Sequence, residues 1–238
     1  MFNQKLFLSF WQKALGVSQA QLLDGKTHLS TDGAYLTRNN NLVYIFSNFT
    51  EKSKILTANS QNLNFIKDQF SPINIINQVE EFSKFEIAYD DVDMYLKYHL
   101  IRPKKLHNTY ILEFYSPNDA NKLNQFLSTC SEDERDILDL HNSVDKIWVI
   151  IKDQEIVAVG SYCTIPSFPD MTDITLLTSK LHRNNGLASN ILHAITEDIL
   201  SLNLIPRYRV GTDNLASIKV AEKLGLSKFN QIKALKIN

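Results

Sequence analysis

Cysteine is nearly absent. Cys130 and Cys163 are the only two in 238 residues, and they have no Cys-x-x-Cys spacing. That argues against a disulfide framework and against a zinc site, so no metal is expected. No run approaches the ~20 apolar residues that span a bilayer. The opening residues, Met1-Phe2-Asn3-Gln4-Lys5-Leu6, lack the long apolar core and small-residue cleavage site of a secretory leader. Excess charge is missing too: the net charge is -1. Up to Lys105 there are twelve basic and ten acidic residues, and beyond it thirteen and sixteen. A nucleic-acid partner, a polyanion partner and a polybasic tail are therefore not expected. These absences lead to the expectation of a cytoplasmic protein with no membrane partner. Glycine is scarce, with seven in all, yet Gly186, Gly211 and Gly225 fall within or beside one short stretch.

That stretch runs from Asp173 to Leu226. Ile174-Thr175-Leu176-Leu177-Thr178 reads as a strand. Arg183-Asn184-Asn185-Gly186-Leu187-Ala188 follows as a polar loop. Leu187, Ala188, Ile191, Leu192, Ile195, Ile199 and Leu202 then recur at helical spacing. Strand, glycine loop and helix start together make an anion site, because the first N–H groups of a helix lack intrahelical acceptors and the dipole favours negative charge there. Downstream, Asp213 or Asn214 opens a second helix, Lys219 and Lys223 lie toward its negative end, and Gly225 stands where a left-handed cap is expected.

Together these two segments resemble the GNAT superfamily of N-acetyltransferases. Arg183 to Ala188 matches the family's pyrophosphate loop. Asn214 to Leu226 matches its asparagine motif and the lysine-leucine-glycine helix end that follows.

The element order from Tyr110 onward, β-α-α-β-β-β-α-β-α-β, agrees with the family's topology. Within it, Thr109–Tyr115 reads as a strand and Pro117-Asn118 opens a helix. Ser131-x-x-Glu134 offers a capping box, with Ile137, Leu138 and Leu140 on the helix it starts. Ile147–Ile151 and Ile156–Tyr162 form a hairpin about Lys152–Glu155, and Pro166 and Pro169 bracket a loop. Phe229–Ile237 is a last strand, where the family usually has two. The missing partner is either absent or supplied by the N-terminal half. An exposed final strand would invite edge pairing, so both monomer and homodimer stay open.

The N-terminal half reads as mixed α/β. Phe2 to Leu15 is an amphipathic helix and Leu42–Phe46 a strand. Asn62–Phe70 and Pro72–Phe82 are helices, and Phe85–Tyr89 is a strand. Asp90, Asp91 and Asp93 read as acids at a turn. The expected boundary is the basic, proline-containing segment Ile101–Lys105. The expected fold class is thus α/β (α+β). A smaller N-terminal α/β domain, 1–105, precedes a GNAT domain, 106–238, with a central mixed, mostly antiparallel sheet and flanking helices. Some relatives carry a degenerate half-acetyltransferase at that position, although no internal repeat is visible here.

The resemblance implies an acyl-CoA co-substrate, acetyl-CoA, and a primary amine acceptor. It implies two strands that part around the pantetheine arm, with contacts from Leu176, Leu177 and Thr178. Pyrophosphate would rest on backbone N–H groups of Asn184, Asn185, Gly186, Leu187 and Ala188, with Arg183 adding charge. Asn214 either touches the pantetheine or merely caps its helix. Many members use a tyrosine seven residues after that asparagine as the acid, but Ala221 stands there. Ser217 is the nearest hydroxyl on that helix, and solvent is the alternative. Asp173 is the candidate base, with Glu155 and Asp170 behind it. His182 reads as a solvated loop residue. Direct attack of the amine in a ternary complex needs no covalent intermediate. The competing reading is a non-catalytic acyl-CoA-binding module that has lost its acid and base.

Overall fold

The computed structural model describes residues 4–31, 42–48, 52–71, 75–81, 85–96, 99–138, 140, 144–166 and 168–237. They form two compact units. One contains Asn3–Asp93, Val210–Asp213 and Lys228–Asn238. The other contains Met94–Arg209 and Asn214–Ser227. The division thus falls between Asp93 and Met94 rather than near Lys105, and the last strand goes with the N-terminal unit.

The first unit begins with α1 (Gln4–Leu15). Phe7, Phe10, Trp11 and Ala14 recur at helical spacing and are all buried. Phe7 meets Phe229 edge-on with ring centroids 4.3 Å apart. Phe2 and the Leu6 side chain lie outside the described residues. A Ser18–Gln21 capping box starts α2 (Gln19–Leu23). Then come β1 (Thr27–Ser30), β2 (Leu42–Asn48), β3 (Lys54–Thr57), α3 (Ser60–Gln69), α4 (Ile75–Glu81) and β4 (Phe85–Leu96). Both expected helices are present within a few residues, although Pro72 and Phe82 lie outside the described residues. Val43, Ile45, Leu56, Leu63, Ile66 and Ile76 form the core between strands and helices.

The second unit runs through β5 (Ile111–Phe114), α5 (Ala120–Ser128), α6 (Glu132–Leu138), β6 (Lys146–Lys152), β7 (Glu155–Ile165), β8 (Phe168–Thr178), α7 (Leu187–Ser201), β9 (Ile205–Gly211) and α8 (Leu215–Lys223). Leu140 therefore lies beyond its helix. Pro169 sits inside β8 instead of bracketing a loop, and Pro206 lies inside β9. Asp153 and Gln154 adopt positive φ, 50° and 67°, which is the twist a two-residue hairpin needs. The strand order is β9-β8-β7-β6-β5. β8 and β9 are parallel, and the other pairs are antiparallel. The sheet is mixed and mostly antiparallel, as expected.

Neighbouring residues of β7 face opposite sides of the sheet. Val159 packs with Leu123 and Phe126 of α5 and Leu138 of α6. Gly160 faces α7 so closely that an added Cβ would lie 2.3 Å from Ile191 Cγ2 and 2.8 Å from Ile195 Cδ1. The helix that starts at the polar loop is thereby seated directly on the sheet backbone.

The chain ends in β10 (Leu226–Ile237). It pairs antiparallel with β2, from Asn230↔Asn48 to Lys236↔Leu42. The N-terminal half does supply the missing partner. The order in the first unit is β1-β3-β2-β10-β4, so the final strand is internal and offers no exposed edge. The three acids are corrected as well. Asp90, Asp91 and Asp93 lie inside β4, and Asp93 is fully buried. Asn230 Nδ2 donates to Asp93 Oδ2 at 2.7 Å, and Gln231 Nε2 donates to Asp90 Oδ1. A charge-rich strand is tolerated because its polar partners arrive from β10, 137 residues away in the case of Asp93.

Candidate functional site

The paired register of β8 and β9 is short. It runs Met171↔Ile205, Thr172↔Pro206, Asp173↔Arg207 and Ile174↔Tyr208. β8 continues to Thr178 and β9 to Gly211, but among the described residues they no longer pair. On its other side β8 stays paired with β7 through Thr178↔Ala158. Thr175, Leu176, Leu177 and Thr178 therefore form an open strand edge about 13 Å long. Every second residue of that edge turns its backbone groups away from β7, with Thr178 O already accepting from Arg183 Nε at 3.3 Å, and all four side chains are half-buried. The Thr178 hydroxyl is buried with no hydrogen-bond partner.

The open edge runs into the polar loop. A 3-10 turn, Lys180–His182, leads to Arg183. Asn184 takes φ 65° and Gly186 φ 75°, and Gly186 is the N-cap residue of α7. The space around Gly186 is open, so its need for glycine comes from the left-handed backbone and not from crowding. Asn190 N donates to Gly186 O, which is the first bond of the helix. The amides just before it have no intrahelical acceptor. Leu187 is buried in the core, while Asn184, Asn185 and Gly186 are exposed. Asn185 Nδ2 braces the loop by donating to His182 O and Arg183 O.

The cations at this loop are already engaged. Arg183 Nη2 lies 2.9 Å from Glu134 Oε1, and Lys180 Nζ lies 3.8 Å from Glu134 Oε2. Glu134 also receives the Ser131 N–H on its carboxylate, and its own backbone N–H donates to Ser131 Oγ, which caps α6. The Ser131 hydrogen bond, with help from Lys180 and Arg183, holds its carboxyl below the usual glutamate range. A cavity of about 390 Å³ adjoins this cluster, lined by Phe126, Cys130, Glu134, Leu177, Thr178 and His182 among others. Burial pushes the Cys130 thiol up, which makes it a poor nucleophile. Glu155 also lines this cavity.

At the point where the strands part, Asp173 Oδ1 receives Arg207 Nη1 at 2.9 Å, and the arginine is 1% exposed. Asp173 is thus an ion-paired residue in the middle of β8. Tyr208, the last residue of β9 paired with β8, is 4% exposed. Burial pushes its phenol up, and a hydrogen bond with the Ser217 hydroxyl partly opposes that. Asn214 Oδ1 accepts from Ser217 N at 3.1 Å, so Asn214 caps α8. Ala221, one turn after Ser217, is fully buried.

The structure thus brings Leu176, Leu177 and Thr178 together with Arg183–Ala188 along one edge and loop. Asp173, Ser217 and Asn214 gather near the divergence or on α8. Glu134, Arg207 and Tyr208 did not emerge from the sequence. The Ser131-x-x-Glu134 pattern marked a helix start but not an ion pair with a loop 49 residues later. Among the described residues no cluster of His, Cys, Asp or Glu is arranged to hold a metal ion. No described helix is long and apolar enough to cross a membrane.

A mixed sheet whose parallel central strands part beside a glycine loop is the fold of the GNAT acetyltransferases. Residues 148–235 match the family model described as GNAT acetyltransferase, so that segment is similar to the family. A solved GNAT-family acetyltransferase from Colwellia psychrerythraea has the same fold, with TM-score 0.54 and 10% identity over 85% of this chain and 70% of that one. A GCN5-related N-acetyltransferase from Kribbella flavida superposes with TM-score 0.50 and 14% identity, over 71% of this chain and 65% of that one. No curated protein matches the chain in sequence.

Proposed function

We propose that the protein transfers an acetyl group from acetyl-CoA to a primary amine by direct attack. The observation that carries this reading is the end of the β8–β9 ladder at Ile174↔Tyr208. The open edge from Thr175 to Thr178 takes the amide-rich pantetheine arm as an extra strand would be taken, through backbone hydrogen bonds. The unsatisfied Thr178 hydroxyl lies on the same path. The loop from Asn184 to Ala188 takes the diphosphate on helix-start N–H groups. That leaves the thioester near the divergence, beside Tyr208 and Asp173.

Two proton movements complete the transfer. The incoming ammonium loses a proton before its nitrogen attacks the thioester carbonyl, and the departing thiolate gains one. Asp173, held by Arg207 one register step from the divergence, is the carboxylate we assign to the first. Serine is a poor acid, so water rather than Ser217 supplies the second.

The test is thiol release from acetyl-CoA, followed with an aromatic disulfide reagent, across polyamines, amino acids, aminoglycosides and peptide amines. Saturable release with one class, well above hydrolysis, is expected. Tight acetyl-CoA binding with no release for any amine would overturn catalysis and favour the non-catalytic module, the reading to which Ala221 lends weight.

A further inference from the structure

We propose that the segment from His99 to Tyr110 is a cationic strap that recognises the 3′-phosphate of the coenzyme A nucleotide. The proposal rests on the acyl-CoA reading above and adds to it a means of discrimination.

The segment has no helix or strand of its own from 99 to 110, yet it is fixed at three places around the phosphate loop. Ile101 N donates to Leu224 O at 3.0 Å, at the C-terminal end of α8. Asn190 Nδ2, in the first turn of α7, donates to Lys104 O at 3.1 Å and to Gly186 O at 2.9 Å. One side-chain amide thus joins the strap to the glycine of the loop. Further on, the Tyr110 ring stands edge-on to His182, with centroids 6.2 Å apart. The strap therefore borders the loop on both sides.

Gly225 is part of this arrangement. Its φ is +91°, and a Cβ added there would lie 2.7 Å from the carbonyl oxygen of His99. The glycine that closes α8 is also what lets the strap backbone pass.

The charge on the strap is one-sided. Arg102, Lys104 and Lys105 lie between His99 and Tyr110, His107 is there as well, and no Asp or Glu interrupts them. All three full cations are exposed. None of the three makes an ion pair with a described residue. The loop's own cations differ, because Arg183 and Lys180 already face Glu134. A diphosphate can be met by helix-start N–H groups alone. A separate phosphate monoester adds about −1.5 to −2 of charge at pH 7 and is met by side-chain cations. The strap holds such a cluster beside the loop, in a chain whose net charge is -1.

The test is calorimetric titration of the full chain with acetyl-CoA and with acetyl-dephospho-CoA, which lacks only the 3′-phosphate. Wild-type protein should prefer acetyl-CoA by roughly tenfold, a preference that shrinks as salt is raised. The triple variant Arg102→Gln, Lys104→Gln, Lys105→Gln should lose the preference while keeping its affinity for the dephospho ligand. Thermal melting of the triple variant confirms that it folds, and the wild-type comparison decides even without it. Equal binding of the two ligands by wild type, or equal weakening of both in the variant, overturns the strap. Binding of neither ligand by wild type overturns the acyl-CoA reading itself.

Discussion

Arg207 and Asp173 are register partners across β9 and β8, joined Nη1 to Oδ1 at 2.9 Å, one step before the two strands part. The arginine is 1% exposed, so its charge depends on that pairing. Replacing Arg207 with Met leaves the carboxylate facing an apolar gap. The expected loss is about 3 kcal/mol or more, read by urea denaturation. Asp173→Asn should cost less stability, because the amide still accepts a hydrogen bond. It should nevertheless lower kcat by about 100-fold if the carboxylate takes the amine's proton. A kcat unchanged in Asp173→Asn would remove Asp173 from the chemistry.

Gly160→Val drives side-chain carbon into Ile191 and Ile195 on α7. The helix would lift away or the residues would be forced off their rotamers, at a cost of about 1–3 kcal/mol. Because α7 starts at the glycine loop, acetyl-CoA affinity should fall with the midpoint of thermal unfolding if that loop holds the diphosphate. A fully stable variant with unchanged affinity would contradict the tight seating of the helix.

Glu134 gives a pH signature. Its folded pKa is depressed, first by the Ser131 N–H and then by the loop cations. A depressed carboxyl contributes stability above its unfolded pKa, about 4.3, and loses it as pH falls through the lower folded value. Wild type should therefore be more stable than Glu134→Gln at pH 6, and the difference should close below pH ~4. Chemical denaturation of both proteins from pH 3 to 7 reads this directly. A constant difference across that range would mean that the carboxylate charge contributes nothing.

Tyr208 behaves in the opposite sense. Burial raises its phenol above the unfolded value of about 10. The stability it contributes is complete below that value and declines as pH rises through the higher folded pKa. Wild type should lose stability above pH ~10, relative to Tyr208→Phe. Ser217→Ala should leave kcat within a few-fold, since water is the proton donor in this account. A loss of 100-fold or more in Ser217→Ala would reinstate the serine as a catalytic acid.

The parts of the fold legible from sequence were those written in local periodicity. The apolar spacing of α7, the capping box of α6 and the left-handed hairpin turn at Asp153-Gln154 all depend on neighbours within a few residues. Asp90, Asp91 and Asp93 looked like a turn because three acids in four residues outweigh the alternation of Val92, Met94 and Leu96. The compensating Asn230 and Gln231 come from β10 and leave no local trace. The internal position of the final strand was legible only as one of two alternatives, because β2 lies at the far end of the chain.

The site divides along the same line. Arg183–Ala188 could be read as a loop because strand, glycine and helix succeed one another. Asn214 could be read as a cap because the residue type and position suffice. Glu134 meeting Arg183 and Arg207 meeting Asp173 are tertiary facts, invisible to spacing. The basic run at Arg102–Lys105 was visible only as a boundary.

The most direct measurement is calorimetric titration of the purified protein with acetyl-CoA, beside the Gly186→Glu variant. The substitution puts a β-carbon on a residue at φ +75° and an anion at the mouth of the loop. Micromolar binding by wild type that the variant abolishes is the predicted result. Absence of binding by wild type, or equal binding by both proteins, would contradict the assignment of this loop to the acyl-CoA diphosphate.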